Sequence, residues 1–394
     1  MQKQTVPLFL FHYLNTNKYY CRESILLHNS MNISKGMSSE NEGSELSYAD
    51  FWDWFQKNEK TFFHVVQNGD NIESDFFDKL SPKLEELHRD LFFVTGMYDQ
   101  ATAELILTAD GCTKNIVFIE EIVAQAPKIE GWKFTALKPA EDIKHVGINM
   151  GGYQFHDANL FFYSNDYPDY PDEIDISIIH DELTEENEEQ IIKGVYIFID
   201  NYLGELGCLE NIDSIKVISR ADAEKELVPI AKLKDFLMWR QKEFVEKYEE
   251  LRYDTTNDNY SSLTAELNNG LPLFAIVDAT LLEWDGKASH PWILEVRIPY
   301  DGSQSNGLPD NEAYELLNEF EDELMLKLKD VDGYLNIGRQ TADNMREIYF
   351  ACKDFRKPSK VLYEQTKAYS DQLRVEYDLY KDKYWQSFER FKTS

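Results

Sequence analysis

Histidines, cysteines and carboxylates that fall close together along the chain are where chemistry would first show. His180-Asp181-Glu182 is the nearest thing to a ligand group, and its place between a strand-like and a helix-like stretch reads as a solvated turn. The tract 165–175 (NDYPDYPDEID) spaces its carboxylates as a calcium loop might. It lacks the glycine and the closing glutamate of an EF-hand, and its two prolines favour an extended acidic loop. The eight histidines show neither HxH nor HExxH spacing. Cys352 has a nucleophile's chemistry, but its strand position predicts a core thiol with no histidine beside it. No GxSxG, Walker or GxGxxG pattern occurs. These patterns point to no catalytic residue, no metal ligand and no cofactor.

The residues that remain of interest lie on a hairpin. Residues 333–354 (GYLNIGRQTADNMREIYFACKD) read as two short strands joined by a polar turn. Side chains on a strand change face with period two, so register decides which of them meet. A four-residue loop at 342–345 would put Leu335 and Ile337 on one buried face with Ile348, Phe350 and Cys352. Asp343 and Asn344 suit such a loop, and Arg346 then stands opposite Thr341, beside Arg339. Around the hairpin, 292–299 alternates as a strand, 310–329 has helical spacing with Asp310 at its start, and Pro358-Ser359 opens a shorter helix. Residues 373–379 alternate again. The order is β-α-β-β-α-β, which predicts a ferredoxin-like domain with helices on one sheet face. The other face is expected to be open and to carry Glu295, Arg297, Tyr334, Asn336, Gln340, Glu347, Tyr349, Arg374 and Glu376. The candidate binding residues are Tyr334, Asn336, Arg339, Arg346, Glu347 and Tyr349.

The preceding chain supplies a mixed α+β region. Residues 1–44 lack periodicity and read as a disordered tail or as an extension upstream of Met37. Ser47 is placed to cap an aromatic-rich helix, and strands are expected near 91–94, 103–108, 132–137, 146–150, 160–163, 174–179 and 212–218. Thr184 is expected to cap an amphipathic helix carrying Ile191, Val195, Phe198 and Tyr202. A polar linker at 253–270 is expected to separate an N-terminal domain (45–252) from the C-terminal one (271–394). The fold class is therefore α+β.

Charge narrows the partners. Forty basic residues stand against 72 acidic ones, a formal net charge of −32. Such a surface repels nucleic acid and anionic membrane and attracts a basic protein. An open sheet face with tyrosines could suit RNA, but the face is charge-mixed and lacks the Arg-, Gly- and Phe-rich motif of an RNA-recognition module. No apolar run approaches the ~20 residues of a membrane helix, and the four scattered cysteines form no framework, so a reducing cytoplasm is expected.

The stretch Thr341-Ala-Asp-Asn344-Met-Arg346-Glu347-Ile-Tyr349-Phe350 resembles a T-x-x-G-x-R-x-x-x-F/Y signature of an uncharacterised bacterial family of unknown function. The helix segment Asn318-Glu-Phe-Glu-Asp322 is similar too, and FWDWF (51–55), Ala126-Pro127, Gly131-Trp132 and Lys138-Pro139 resemble the module that often precedes it. The C-terminal unit is also similar to the regulator of ribonuclease E activity B, which implies a ferredoxin-like protein-binding unit. Asn344 stands where the signature has glycine, and Ala351 where an aromatic often follows. The family of unknown function implies no activity; the net charge, the missing catalytic motifs and the regulator-like C-terminal unit together predict a non-enzymatic, acidic, regulatory or protein-binding role. The alternative is a hydrolase or transferase with a site between the modules.

Overall fold

The computed structural model describes residues 46–392; the expectation for residues 1–44 lies outside them. The chain divides into two compact units, one through Pro139 and one from Ala140. In the first, α1 (Tyr48–Asn68) begins where Ser47 accepts a hydrogen bond from the Asp50 N–H, as the sequence predicts. It is followed by α2 (Asp78–Leu87), β1 (Phe92–Met97), β2 (Ala103–Thr108), α3 (Ile116–Ala124) and β3 (Trp132–Ala136). The strands form one sheet, β1 antiparallel and β3 parallel to β2. Aromatic rings of α1 close its core: Phe55 lies 5.0 Å from Trp132, and the Trp52 indole donates to the Ile122 carbonyl.

The second unit opens with the hairpin β4 (Ile148–Met150) and β5 (Tyr153–Phe155), then β6 (Leu160–Asn165), β7 (Asp175–His180), α4 (Glu188–Leu203), α5 (Glu205–Asn211), β8 (Ser214–Ser219), β9 (Val228–Pro229) and α6 (Leu233–Tyr248). Strands β8-β7-β6-β9 make a four-stranded sheet under α4 and α6, with Ile176, Ile178, Ile191, Val195, Phe198 and Leu237 in its core. Thr184 does not cap α4. Its N–H donates to the Asn187 side chain in the turn before the helix, which begins at Glu188.

The rest of the unit is β10 (Tyr260–Glu266), β11 (Pro272–Asp278), α7 (Ala279–Leu282), β12 (Trp292–Pro299), α8 (Asn311–Lys327), β13 (Tyr334–Ala342), β14 (Met345–Cys352), α9 (Arg356–Ala368) and β15 (Glu376–Lys381). The segment read as a linker thus contains a strand. With β11 it adds a hairpin to the sheet, whose order is β10-β11-β13-β14-β12-β15, antiparallel throughout. Leu294, Val296, Ile348 and Phe350 are fully buried on the face toward α8 and α9, and Leu317, Phe320, Leu324 and Leu362 of those helices are fully buried as well.

The hairpin departs from expectation in two ways. Its loop has two residues, Asp343 and Asn344, both at positive φ (45° and 65°), and Ala342 pairs with Met345. This is the twist a tight hairpin prefers. Arg346 does stand opposite Thr341. Further along, Ile337 is left unpaired in a bulge between Asn336 and Gly338. The extra residue moves Leu335 and Ile337 to the face of Tyr349 and Ala351, opposite to the predicted grouping with Ile348 and Phe350. Gly338 permits it: φ is 138°, and a Cβ there would come 2.2 Å from the Ile276 carbonyl oxygen. The expected open face is also largely closed. Leu281 and Leu282 of α7, with Trp385, Phe388 and Phe391 of the C-terminal turn, cover Ile293, Leu335, Ile337, Tyr349 and Ala351.

The four-stranded and six-stranded sheets of this unit are joined by buried charge. Asp213 lies 2.9 Å from Lys381 and 2.7 Å from Lys383, all three nearly buried. Lys381 Nζ also donates to the Glu210 carbonyl, and Lys383 Nζ to that of Asp172. The Asp172 carboxylate accepts from the hydroxyls of Tyr248 and Tyr384, each at 2.6 Å. The expected boundary at 253–270 therefore falls inside one compact unit.

Two outcomes follow. Gly338→Ala should lower stability by about 2–3 kcal/mol, measured by urea denaturation, whereas an unchanged midpoint would mean the bulge relaxes without strain. Asp213→Asn leaves two buried ammonium groups without a carboxylate and should cost about 3–5 kcal/mol. In the parent protein the lysines hold Asp213 below its ordinary value even against burial. A carboxylate lowered in the folded state adds stability above the unfolded value, near pH 4, and loses it as pH falls through the folded value. Asp213→Asn should flatten that acid limb.

Candidate functional site

The six predicted residues fall into three groups. Arg339, Arg346 and Thr341 lie on the helix side of the sheet, at the turn end. Arg346, about 1% exposed, donates through Nε to Thr341 Oγ1 at 2.6 Å. Its Nη1 lies 3.4 Å from both Asn318 Oδ1 and Glu321 Oε2 on α8, and Arg339 Nη1 donates to Glu321 at 2.6 Å. One carboxylate thus serves two guanidiniums, and burial, then Arg339, holds Arg346 below its ordinary value. The network ties the hairpin to α8. It explains the spacing of the Thr-Arg signature and of the Asn-Glu pair by packing.

Tyr334 and Asn336 were expected on the other face. They stand opposite Cys352 and Phe350, so the bulge returns them to the helix side. Lys357 lies over the Tyr334 ring, and Asn336 Oδ1 accepts from the Tyr260 hydroxyl at 3.2 Å. Just before Tyr260, Asp258 and Asp278 approach each other. Asp278 Oδ1 caps α7 through the N–H groups of Thr280 and Leu281, while Asp278 Oδ2 and Asp258 Oδ1 are buried without a hydrogen-bond donor. Burial, then the Asp278 charge, raises Asp258 to about 6.

Glu347 and Tyr349 form the third group, on the face opposite the helices. The Tyr349 hydroxyl donates to Glu347 Oε2 at 2.9 Å and accepts from Arg390 at 3.0 Å, and Gln340 also donates to Glu347. The cross-strand register places Glu295 on β12 opposite Tyr349 and Asp378, and Arg297 opposite Glu347 and Glu376. Glu295 is half-buried on a central strand. Burial, then Glu347, raises its proton affinity, with Asp378 adding to the effect and Arg297 opposing it. The C-terminal turn stops at this polar half of the face, so Arg297, Glu376 and Asp378 remain exposed. This patch is the candidate site. Arg390 escaped the sequence reading because it comes from beyond the last predicted strand, where no periodic signal places it.

The other candidates settle as structure. His180 is fully buried; its Nδ1 accepts from the Glu182 N–H, which leaves Nε2 to donate to the Gln154 carbonyl. Cys352 is buried, and burial pushes its thiol up. Among the described residues no group of three or more His, Cys, Asp or Glu is placed to hold a metal ion, and no helix is long and apolar enough to cross a membrane.

With its antiparallel sheet and helices on one face, the C-terminal region is an α+β unit. Residues 258–391 match a family model described as a family of unknown function, DUF695. The matched stretch contains all six strands of this sheet and ends in the turn that covers it. No curated protein and no solved structure matches the chain.

Asp258 yields a pH prediction. Its folded-state value lies above the ordinary 3.8, so the folded state holds a proton that the unfolded state releases between about pH 4 and 6. Stability should fall as pH rises through that window. Asp258→Asn should remove this part of the slope in denaturation midpoints taken from pH 4 to 7, and an unchanged slope would mean that the two carboxylates do not interact.

Proposed function

We propose that the chain is a non-catalytic, acidic binding protein that recognises a basic protein through the polar half of the C-terminal sheet, in the cytoplasm. The observation that carries this reading is Glu295, a half-buried carboxylate whose proton affinity is raised by burial and by Glu347. Such a group is under-compensated within its own surface, and a lysine or arginine from outside would relieve it. Glu376 and Asp378 extend the acidic patch along β15 to the rim, and Tyr349 with Arg390 forms its inner wall. The order β15-β12-β14-β13, with α8 and α9 on one face, supports a ferredoxin-like reading of this unit, extended by β10 and β11. That in turn supports the likeness to a protein-binding regulator.

A hydrolase or transferase reading draws on the same acid, since a raised carboxylate beside a second one suits general acid–base chemistry. It is the weaker reading. The adjacent hydroxyl, Tyr349, is buried, held far above its ordinary value, and engaged with Glu347 and Arg390.

The test is binding of a lysine-rich peptide, with a glutamate-rich peptide as control, at low and high salt. Exposed charges are screened over about 8–10 Å at ordinary ionic strength, so affinity should fall as salt rises. Glu376→Lys and Glu347→Lys should each weaken it several-fold while the thermal midpoint is followed alongside. Binding indifferent to salt and to both reversals would remove the acidic mechanism and this choice of face.

A further inference from the structure

The six-stranded sheet ends in two unlike edges. At one end β15 carries Glu376, Asp378 and Lys381, charges of the kind that keep an edge from pairing with another chain. At the other end β10 pairs with β11 along its whole length, with no bulge, no proline and no lysine of its own. Among the described residues no strand pairs with its outer side. The hydrogen bonds that flank the ladder set its phase. Leu267 N–H donates to the Leu271 carbonyl, and Ala279 N–H to that of Asn259. In an antiparallel ladder every second residue exchanges hydrogen bonds with its partner, so Ser261, Leu263 and Ala265 direct theirs to β11. Tyr260, Ser262, Thr264 and Glu266 then direct their N–H and C=O groups away from it. No described residue takes these groups up.

The side chains along this open edge sort by face. Ala275 and Val277 belong to the apolar cluster under α7. Their partners Leu263 and Ser261, with Ala265, share that face. Tyr260, Ser262, Thr264 and Glu266 lie on the other, with Phe274 of β11 behind Thr264. The Tyr260 and Phe274 side chains are 42% and 45% exposed, so two rings stand uncovered beside small residues. The charge here has one sign. From Tyr253 to Gly286 the chain holds Asp254, Asp258, Glu266, Asp278, Glu283 and Asp285, and no lysine, arginine or histidine. A second copy laid along this edge would set like charge against like, between chains that each carry −32. A basic strand meets the opposite sign.

We propose that β10 takes up an extended basic segment of a partner protein as a further strand of the sheet. Main-chain hydrogen bonds to Ser262 and Thr264 hold the segment, and alternate side chains select it. Its basic residues lie on the face of Glu266 and its apolar residues on the face of Leu263. The site does not depend on the polar half of the sheet around β12 and β15, which lies toward the opposite end of the strand order.

The full chain is titrated with acetyl-(Lys-Val)4-amide, with the same peptide N-methylated at alternate residues, and with acetyl-(Glu-Val)4-amide. Calorimetry gives the affinity, and amide hydrogen exchange is followed residue by residue. The lysine peptide should bind saturably and slow exchange at Ser262 and Thr264, in Glu376→Lys as in the parent protein. The other two peptides should bind at least about tenfold more weakly, since one lacks the donors of a strand and the other has the wrong charge. Thr264→Pro deletes an outward donor while leaving the bonds to β11, and should weaken binding about tenfold. Glu266→Lys, which leaves the backbone intact, should weaken it several-fold. Equal binding of the N-methylated peptide, unchanged exchange at Ser262 and Thr264 on saturation, or full affinity in Glu266→Lys would each overturn the proposal. Protection of the same amides without peptide, rising with protein concentration, would overturn it in favour of a second copy.

Discussion

The Asp213 carboxylate, held between Lys381 and Lys383, is the contact on which the second unit's arrangement depends. Three charges removed from water lose their hydration, and only close pairing with further hydrogen bonds offsets that cost. The seam supplies both, through the ion pairs and through carbonyl acceptors at Glu210 and Asp172. Burial lowers Lys381 to about 8, below an ordinary lysine, with the Asp213 carboxylate opposing the shift. The gain is positional. The chain leaves the seam at Lys383 and turns at Trp385, whose φ of 54° is sustained by the buried Asp382 carboxylate accepting from the N–H groups of Gln386 and Ser387. The Trp385 indole then donates to the His290 carbonyl, beside an imidazole that burial pushes down to about 3 and keeps neutral. From this anchor Phe388 and Phe391 reach the sheet. A fixed seam thus decides which half of the face is apolar and covered, and which half stays polar and open.

Much of the element order was legible because local signals and burial agree there. Ser47 caps α1, Asp310 caps α8 through the Ala313 N–H, and β2 spans the residues read as a strand. The strand β10 was not legible. It is an edge strand, so only one side of its backbone is paired and its side chains stay mostly polar, and no apolar alternation marks it. Tyr334, Asn336, Glu347 and Tyr349 were identified by face, and face depends on register over the whole hairpin. Period-two reasoning assumes an unbroken ladder, and one unpaired residue at Ile337 reverses the assignment for every position before it. Arg346 and Glu347, between the bulge and the turn, kept their predicted faces. Tyr334 and Asn336, beyond it, did not.

The bulge also explains why the sheet can be covered on both sides. With Leu335 and Ile337 turned away from α8 and α9, the face opposite the helices gains an apolar half, which α7 and the C-terminal turn then bury. Had the ladder been regular, that face would have presented Tyr334 and Asn336 between β11 and β14. A glycine at φ 138°, pressed against the Ile276 carbonyl, is the local condition for this exchange.

The residues that made the hairpin recognisable are consumed by the fold. Thr341, Arg346, Asn318 and Glu321 satisfy one another across the sheet and α8, and Arg339 joins them, so little of that network faces outward. A signature of this kind marks how the domain is built and leaves open what it contacts. The positions this network does not constrain are Glu295, Glu376 and Asp378 on the uncovered half of the sheet. The chain as a whole carries −32. Excess negative charge raises the free energy of a compact state, and a cation from outside lowers it most where the carboxylates are already partly removed from water.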